Sequence, residues 1–273
     1  MSAESKKLRA AVIGAGFAHS PDGRELWGVR AIIPALKALS DQYELVAVCT
    51  AHQETAEESA KHFNVPHAYW DYHRLLEEMS DVDVVMVAVR PVLHHQVTMA
   101  ALAAGKHVYC ELPLGTSSQQ AQEMHQLARA KGLRTGVGWQ RVHIPSVLRM
   151  RELVREGYVG RVLHWSKSKF TPNNIAPRPS HHQWISQVDQ GGRPSFRTGE
   201  PLAMVSFVLD ADVQRLTADA ELMVRERPAY DSTEPLRSTQ VNNVSYLVRM
   251  TDESMGVLHL SMTSWNATGD RLE

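Results

Sequence analysis

The sequence predicts an α/β chain: a doubly wound parallel sheet, followed by an α+β domain with a mainly antiparallel sheet. Three observations carry this. Residues 1–139 alternate short β-branched runs with helical stretches, the pattern of successive βαβ units. One run, DVVMVAV at 83–89, is apolar at every position after its aspartate, as a strand covered on both faces must be. Beyond residue 140 the apolar residues alternate with period two over longer segments, as in a sheet with one wet face. That change of rhythm divides the chain into 1–139 and 140–273. With 273 residues, 43% of them apolar, there is enough material for two ordinary cores.

Taken in order, 8–13 reads as the first strand and 25–39 as a helix, with Leu26, Val29, Ile33 and Leu36 at three-to-four spacing. Residues 44–49 form the second strand and 53–63 a helix. Asp71 is placed to cap a short helix over 72–79. After the strand at 83–89, a helix over 93–104 stops at Gly105. Strand 107–110, a helix capped by Ser117 and running to Lys131, and strand 134–139 complete the first half. In the second half a helix over 146–156 stops at Gly157. Alternating segments follow at 161–170, 212–225, 241–250 and 256–265. A Pro-, His- and Gly-rich loop over 171–201 lies between the first two and is expected to cross a cleft.

Composition removes several classes. A formal net charge of −1 offers no basic field for a nucleic acid. No apolar run approaches the roughly 20 residues that cross a membrane, and the segment before the first strand has no signal-peptide core. Cys49 and Cys110 each end an apolar run and are expected reduced and buried, as in a cytoplasmic protein. No metal is expected: His94-His95 and His181-His182 are adjacent pairs, which do not easily chelate one ion together.

The chemistry-bearing positions gather at strand ends. The first strand runs into Gly14-Ala15-Gly16, with Phe17 beside it, a turn through which a backbone approaches a pyrophosphate. The third glycine of such turns is absent at His19. A polar insertion at 19–25 leads instead to Trp27-Gly28. After the second strand stand Thr50 and His52, with no carboxylate to hold ribose hydroxyls or repel a 2′-phosphate. The cofactor reading is therefore NADP or NAD, with NADP preferred. After the next buried strand comes Arg90-Pro91-Val92-Leu93-His94-His95. Arg90 reads either as a phosphate partner or as a surface ion-pair residue, and His95 either as a site residue or as helix-start packing. The stretch GKHVYCELPLG, 105–115, delivers Glu111, Leu112 and Pro113 into a turn.

LRAAVIGAG, VDVVMVAV, AALAAGKHVYCELPLG and GWQRVHIPSVLRMRELVREGYVGRV, in this order and spacing, resemble the glucose–fructose oxidoreductase/inositol dehydrogenase (Gfo/Idh/MocA) family over about the first 165 residues. The resemblance implies a Rossmann-type NAD(P)-binding domain, a substrate and oligomerisation domain, and a homo-oligomer. In that family the loop at 111–113 reads Glu-Lys-Pro, and its lysine serves acid–base chemistry beside the nicotinamide. Here Leu112 has no titratable proton. The family's Gly-Gly-Gly-x-x-x-Asp-x-Gly-x-His segment has its counterpart at 191–201, where Arg197 replaces the aspartate and Pro201 the histidine. The loop is most similar to a lysine-lacking branch that includes the yeast galactose-regulon repressor.

Three functional readings follow. The first is an oxidoreductase moving hydride between NAD(P) and a sugar, cyclitol or related compound. In it Gly14, Gly16, Phe17, Thr50, His52, Arg90, Pro91, His95, Glu111 and Pro113 hold the cofactor. His181 or His182 supplies the proton, and Arg178, Trp184 and Arg197 hold the substrate. The second is a nucleotide-binding regulator without turnover, with a protein partner. The third is a lyase or hydrolase using bound cofactor transiently.

Overall fold

The computed structural model describes residues 6–16, 26–265 and 269–273, and leaves out the side chains of 193–198. Phe17, His19 and the insertion lie outside the described residues, as does the side chain of Arg197. The chain divides into two compact units, 1–138 and 139–273.

The first unit is a six-stranded parallel sheet in the order β3-β2-β1-β4-β5-β6. Its strands are β1 (Leu8–Ile13), β2 (Tyr43–Cys49), β3 (His67–Tyr69), β4 (Val84–Val87), β5 (His107–Glu111) and β6 (Thr135–Gly138). Helices α1 (Ile33–Ala38), α2 (Gln53–Phe63), α3 (Tyr72–Glu78), α4 (Pro91–Ala103) and α5 (Ser118–Ala130) connect them. Successive residues of β1 and β4 feed opposite cores. Ala11, Ile13, Val85 and Val87 pack on one face, while Ala10, Val12, Val84 and Met86 pack on the other. Covering both faces is why these strands read as continuous apolar runs. The strand order reverses between β1 and β4, which leaves a crevice at their carboxyl ends.

Both expected caps form: Asp71 Oδ1 accepts from His73 N at 2.9 Å, and Ser117 Oγ accepts from Gln120 N at 3.2 Å. The first helix differs from its expected extent. A π-helical turn, Gly28–Ile32, precedes α1. Strand β3 was not expected, because three half-exposed residues carry no pattern.

The second unit opens with a 3-10 turn (Gln140–His143) and α6 (Pro145–Arg155). Its five-stranded sheet has the order β13-β7-β12-β11-β8, formed by β7 (His164–Phe170), β8 (Val213–Glu221), β11 (Asn243–Met250), β12 (Met255–Ser261) and β13 (Gly269–Leu272). A separate small ribbon pairs β9 (Glu226–Arg227) with β10 (Leu236–Arg237). The main sheet is mixed: β7 runs parallel to β12, and its other pairs are antiparallel. The loop expected over 171–201 is corrected in its second half. A 3-10 helix spans Ser180–Ser186, and α7 covers Arg193–Leu209. Proline is tolerated in a first helical turn, where Pro194 lies, and Leu202, Val205 and Leu209 pack into the core beneath the sheet. That burial outweighs the helix-breaking tendency of Pro201. Trp165 is the largest member of this core, and a Cβ on Gly256 would overlap its ring.

Candidate functional site

Apart from Phe17, which lies outside the described residues, the residues expected at the nucleotide lie at or just after the carboxyl ends of the first unit's strands. Gly14 has φ +100°, where a side chain is strained, and a Cβ there would overlap the Ala88 carbonyl at the end of β4. Its N–H and that of Ala15 donate to Cys49 O at 2.9 and 3.2 Å, tying the turn to β2. Gly28 lies against the Gly14 carbonyl so closely that a Cβ would overlap it. Close helix–strand packing is the task of the third glycine in dinucleotide turns. Gly28 performs it after the insertion, a role the sequence reading did not assign.

Gly16 differs from both. A Cβ there would meet Thr50 and Leu26 at 3.6–3.8 Å, which is ordinary contact. Among the described residues, packing therefore gives no reason for glycine at 16, and a backbone without a side chain lets a diphosphate approach closely. The turn fits a dinucleotide.

At the end of β2, Thr50 Oγ1 donates to His52 O at 2.7 Å and lies 2.7 Å from Thr55 Oγ1, so this hydroxyl is used in starting α2. The exposed His52 ring stands at the N-cap position of α2. At the end of β4, Arg90 is exposed and extended, and Pro91 is buried in the first turn of α4. His95 Nε2 lies 2.8 Å from Glu123 Oε2 at ion-pair distance.

The loop after β5 is built more firmly than its sequence suggests. The Leu112–Pro113 peptide is cis. His94, only 1% exposed, lies with Nδ1 2.6 Å from Pro113 O and Nε2 3.0 Å from Val89 O, joining this loop to the end of β4. Gln120 Oε1 accepts from Thr116 N at 2.8 Å and closes the far side. The Glu111 carboxyl lies over Gly138, where a Cβ would overlap it. Leu112 is half-buried between these fixed points. Cys110 offers no substitute reactivity, because burial pushes its thiol up to about 12, as it does that of Cys49. Sequence reasoning singled out His95 and passed over His94. The signal was present: His94, Val97, Thr98, Ala101 and Leu102 form one buried helical stripe.

In the second unit, His181, His182 and Trp184 lie together on the 3-10 helix, with the two imidazoles 4.3 Å apart. His181 is exposed. Asp231 accepts from Ser180 N at 2.7 Å, and this bond chiefly holds its carboxyl below the usual range. Arg237 N donates to Gln183 Oε1 at 3.0 Å and anchors the same helix to β10. Arg178 stands apart on the preceding segment, donating to Asn173 Oδ1 at 3.0 Å. A charged cluster that sequence reasoning missed lies on the inner face of β7. Lys167, 4% exposed, pairs with Asp270, which also meets Arg141 at 3.0 Å, and Arg141 reaches Glu200 at 2.6 Å.

A crevice at a strand-order reversal, entered by a glycine turn, defines a dinucleotide-binding α/β protein. Residues 8–139 match the oxidoreductase family with an NAD-binding Rossmann fold, GFO_IDH_MocA. The first unit is thus similar to the Gfo/Idh/MocA family over almost its whole length. It is 33% identical over 161 residues to the dehydrogenase aclE of Aspergillus oryzae, covering 58% of this chain and 43% of that protein. An NAD-binding oxidoreductase structure from Klebsiella pneumoniae aligns with 98% of this chain and 70% of its own, at 28% identity and a TM-score of 0.79. A super-repressor mutant of Gal80p from Saccharomyces cerevisiae shares the fold at a TM-score of 0.88 and 17% identity, over 98% of this chain and 71% of its own. The chain spans about half or less of the length of the curated relatives it matches first. Among the described residues, no helix is long and apolar enough to cross a membrane.

Proposed function

We propose that this chain binds NAD(P) along the carboxyl edge of its six-stranded sheet and acts as an oxidoreductase on a sugar, cyclitol or related hydroxyl or carbonyl compound. The observation that carries the reading is Gly16, a glycine that packing among the described residues does not require, whereas it requires Gly14 and Gly28. Its relatives' names as dehydrogenases support the activity. In this reading Gly14, Gly16 and Phe17 hold the diphosphate. His52 is the exposed side-chain donor for a 2′-phosphate, since Thr50 is already engaged, and NADP is preferred over NAD. Arg90, Pro91 and His95 border the crevice, and Glu111 and Pro113 shape the nicotinamide end. When bound, the nicotinamide carries the hydride. His181 or His182 handles the proton, and Arg178, Trp184 and Arg197 orient the substrate. The active form is a homo-oligomer.

Leu112 favours a second reading, a nucleotide-binding regulator without turnover that acts on a protein partner, and the shared fold with Gal80p lends it weight. One experiment separates them. Binding of NADPH and NADH is followed by nicotinamide fluorescence, and oxidation by absorbance with a panel of keto-sugars. Saturable binding with turnover is the expected result. Binding with no turnover on any compound supports the regulator, and no binding of either nucleotide overturns both. A Leu112→Lys variant is expected to raise turnover at least tenfold, because the rigid loop presents the new amine where a proton carrier belongs.

A further inference from the structure

The second unit buries a cation that nothing in the described protein neutralises. Arg227 is 4% exposed, and its Nη1 donates to Asn173 O at 2.6 Å. Its Nε and Nη2 are buried with no hydrogen-bond partner. Burial, and secondly the neighbouring charge of Arg178, lower its pKa to about 10. Two guanidinium groups are thus held together, Arg178 through Asn173 Oδ1 and Arg227 through the same residue's carbonyl. The adjacent Asn174, 5% exposed, adds a third buried donor, Nδ2, that also lacks a partner. The acid next in sequence cannot help. Glu226 precedes Arg227 on β9, so its side chain takes the opposite face, where it meets Arg237 at 3.3 Å.

Burying an unpaired cation is costly, and placing a like charge beside it raises that cost. Orphaned donors alone, with no orphaned acceptor among these residues, specify the missing partner: an oxyanion with several lone pairs. A guanidinium offering Nε and Nη2 presents two parallel N–H groups on one edge, the geometry that grips a carboxylate or phosphate bidentately.

We infer that Arg227, Arg178 and Asn174 form an oxyanion-binding site in the second unit, which takes the carboxylate or phosphate group of a small acidic ligand such as a sugar acid or sugar phosphate. The site is independent of turnover, since an enzyme would use it to hold an acidic substrate and a sensor to hold an acidic effector.

The test is calorimetry on the full chain with inorganic phosphate, D-gluconate and, as the uncharged control, D-glucose. Saturable binding of phosphate, gluconate or both, with none of glucose, is expected; phosphate alone or gluconate alone tells which group the site takes. Arg227→Met should weaken that binding at least tenfold and leave NAD(P) affinity unchanged. It should also raise the melting temperature in anion-free buffer, since an uncompensated buried charge is removed, whereas a merely structural arginine would lower it. If Arg227→Met does not fold, Arg178→Met should show the same tenfold loss. Absence of saturable binding to both anions overturns the inference, as does binding that survives in whichever variant folds.

Discussion

His94 stands between two sides of the candidate nucleotide site, the loop after β5 and the end of β4. A neutral imidazole donates from one ring nitrogen only, yet this ring has a carbonyl oxygen at 2.6 Å from one nitrogen and at 3.0 Å from the other. Desolvation, the larger effect, lowers its pKa from 6.5, and the two carbonyls pull it partly back. Below pH 6.5 the unfolded chain takes up a proton at this position that the folded chain resists. Stability is therefore lost as pH falls from that value through the lower folded pKa. Urea unfolding should show an acid-side loss in the wild type that is smaller in His94→Gln; identical profiles would refute the assignment. His94→Ala removes the one N–H that the neutral ring offers these two carbonyls and leaves a void, at a cost of about 3 kcal/mol. It should also weaken NAD(P) binding, because the loop after β5 loses its tie to β4. The histidine was legible in the sequence as part of an apolar stripe, but a doubled histidine invites the wrong choice. The bonds it makes join residues 19 and 5 positions away through a turn that no spacing rule describes.

Among the elements, the parallel sheet, the Asp71 and Ser117 caps and the helix ending before Gly105 follow from local chemistry, and these were legible. Of the elements that were not, two show why. Strand β3 is too short to have a period, and α7 begins among prolines and glycines that locally argue for a loop. Its packing against β11 and β12 residues decides the matter, and tertiary burial leaves little mark on a short window of sequence. The same limit hid Gly28, whose partner is Gly14 across the insertion. Gly28→Ala should push the helix start off β1, costing about 2 kcal/mol and at least tenfold in NAD(P) affinity; fluorescence titration that matches the wild type would remove Gly28 from the site. In the second unit β13 is joined to β7 by Lys167 and Asp270. Burial alone would raise the Asp270 carboxyl, but Lys167, Lys169 and Arg141 hold it below the usual range. Asp270→Asn strands a buried lysine, and denaturant unfolding should show a loss of about 3 kcal/mol.

At the scale of the whole molecule, the five-stranded sheet has one face without a covering layer among the described residues of its own unit. Leu247 on β11 lies opposite Val257 on β12 and Thr217 on β8, and Met255 extends the row. Leu247 is 63% exposed, Met255 48% and Val257 41%. Around them the same register places Ser245, Ser166 and Ser168 together with the larger His259, Arg249 and Arg215, a polar border to the apolar row. The inner face of these strands carries Val244, Val248, Leu258 and Leu260 in the core, so the outer apolar residues are surplus to folding the unit. A second copy of the chain meeting the first face to face would remove them from water. A stable pairing of this kind needs about 1,600 Å² in total, an area that a five-stranded sheet can supply. Sedimentation at micromolar concentration should therefore show a dimer or a multiple of it. Leu247→Glu combined with Val257→Glu would bring four carboxylates together at the centre of a twofold interface, and should yield monomers that still bind NAD(P). A wild-type chain that sediments as a monomer, or a variant that assembles unchanged, would assign this face to some other partner.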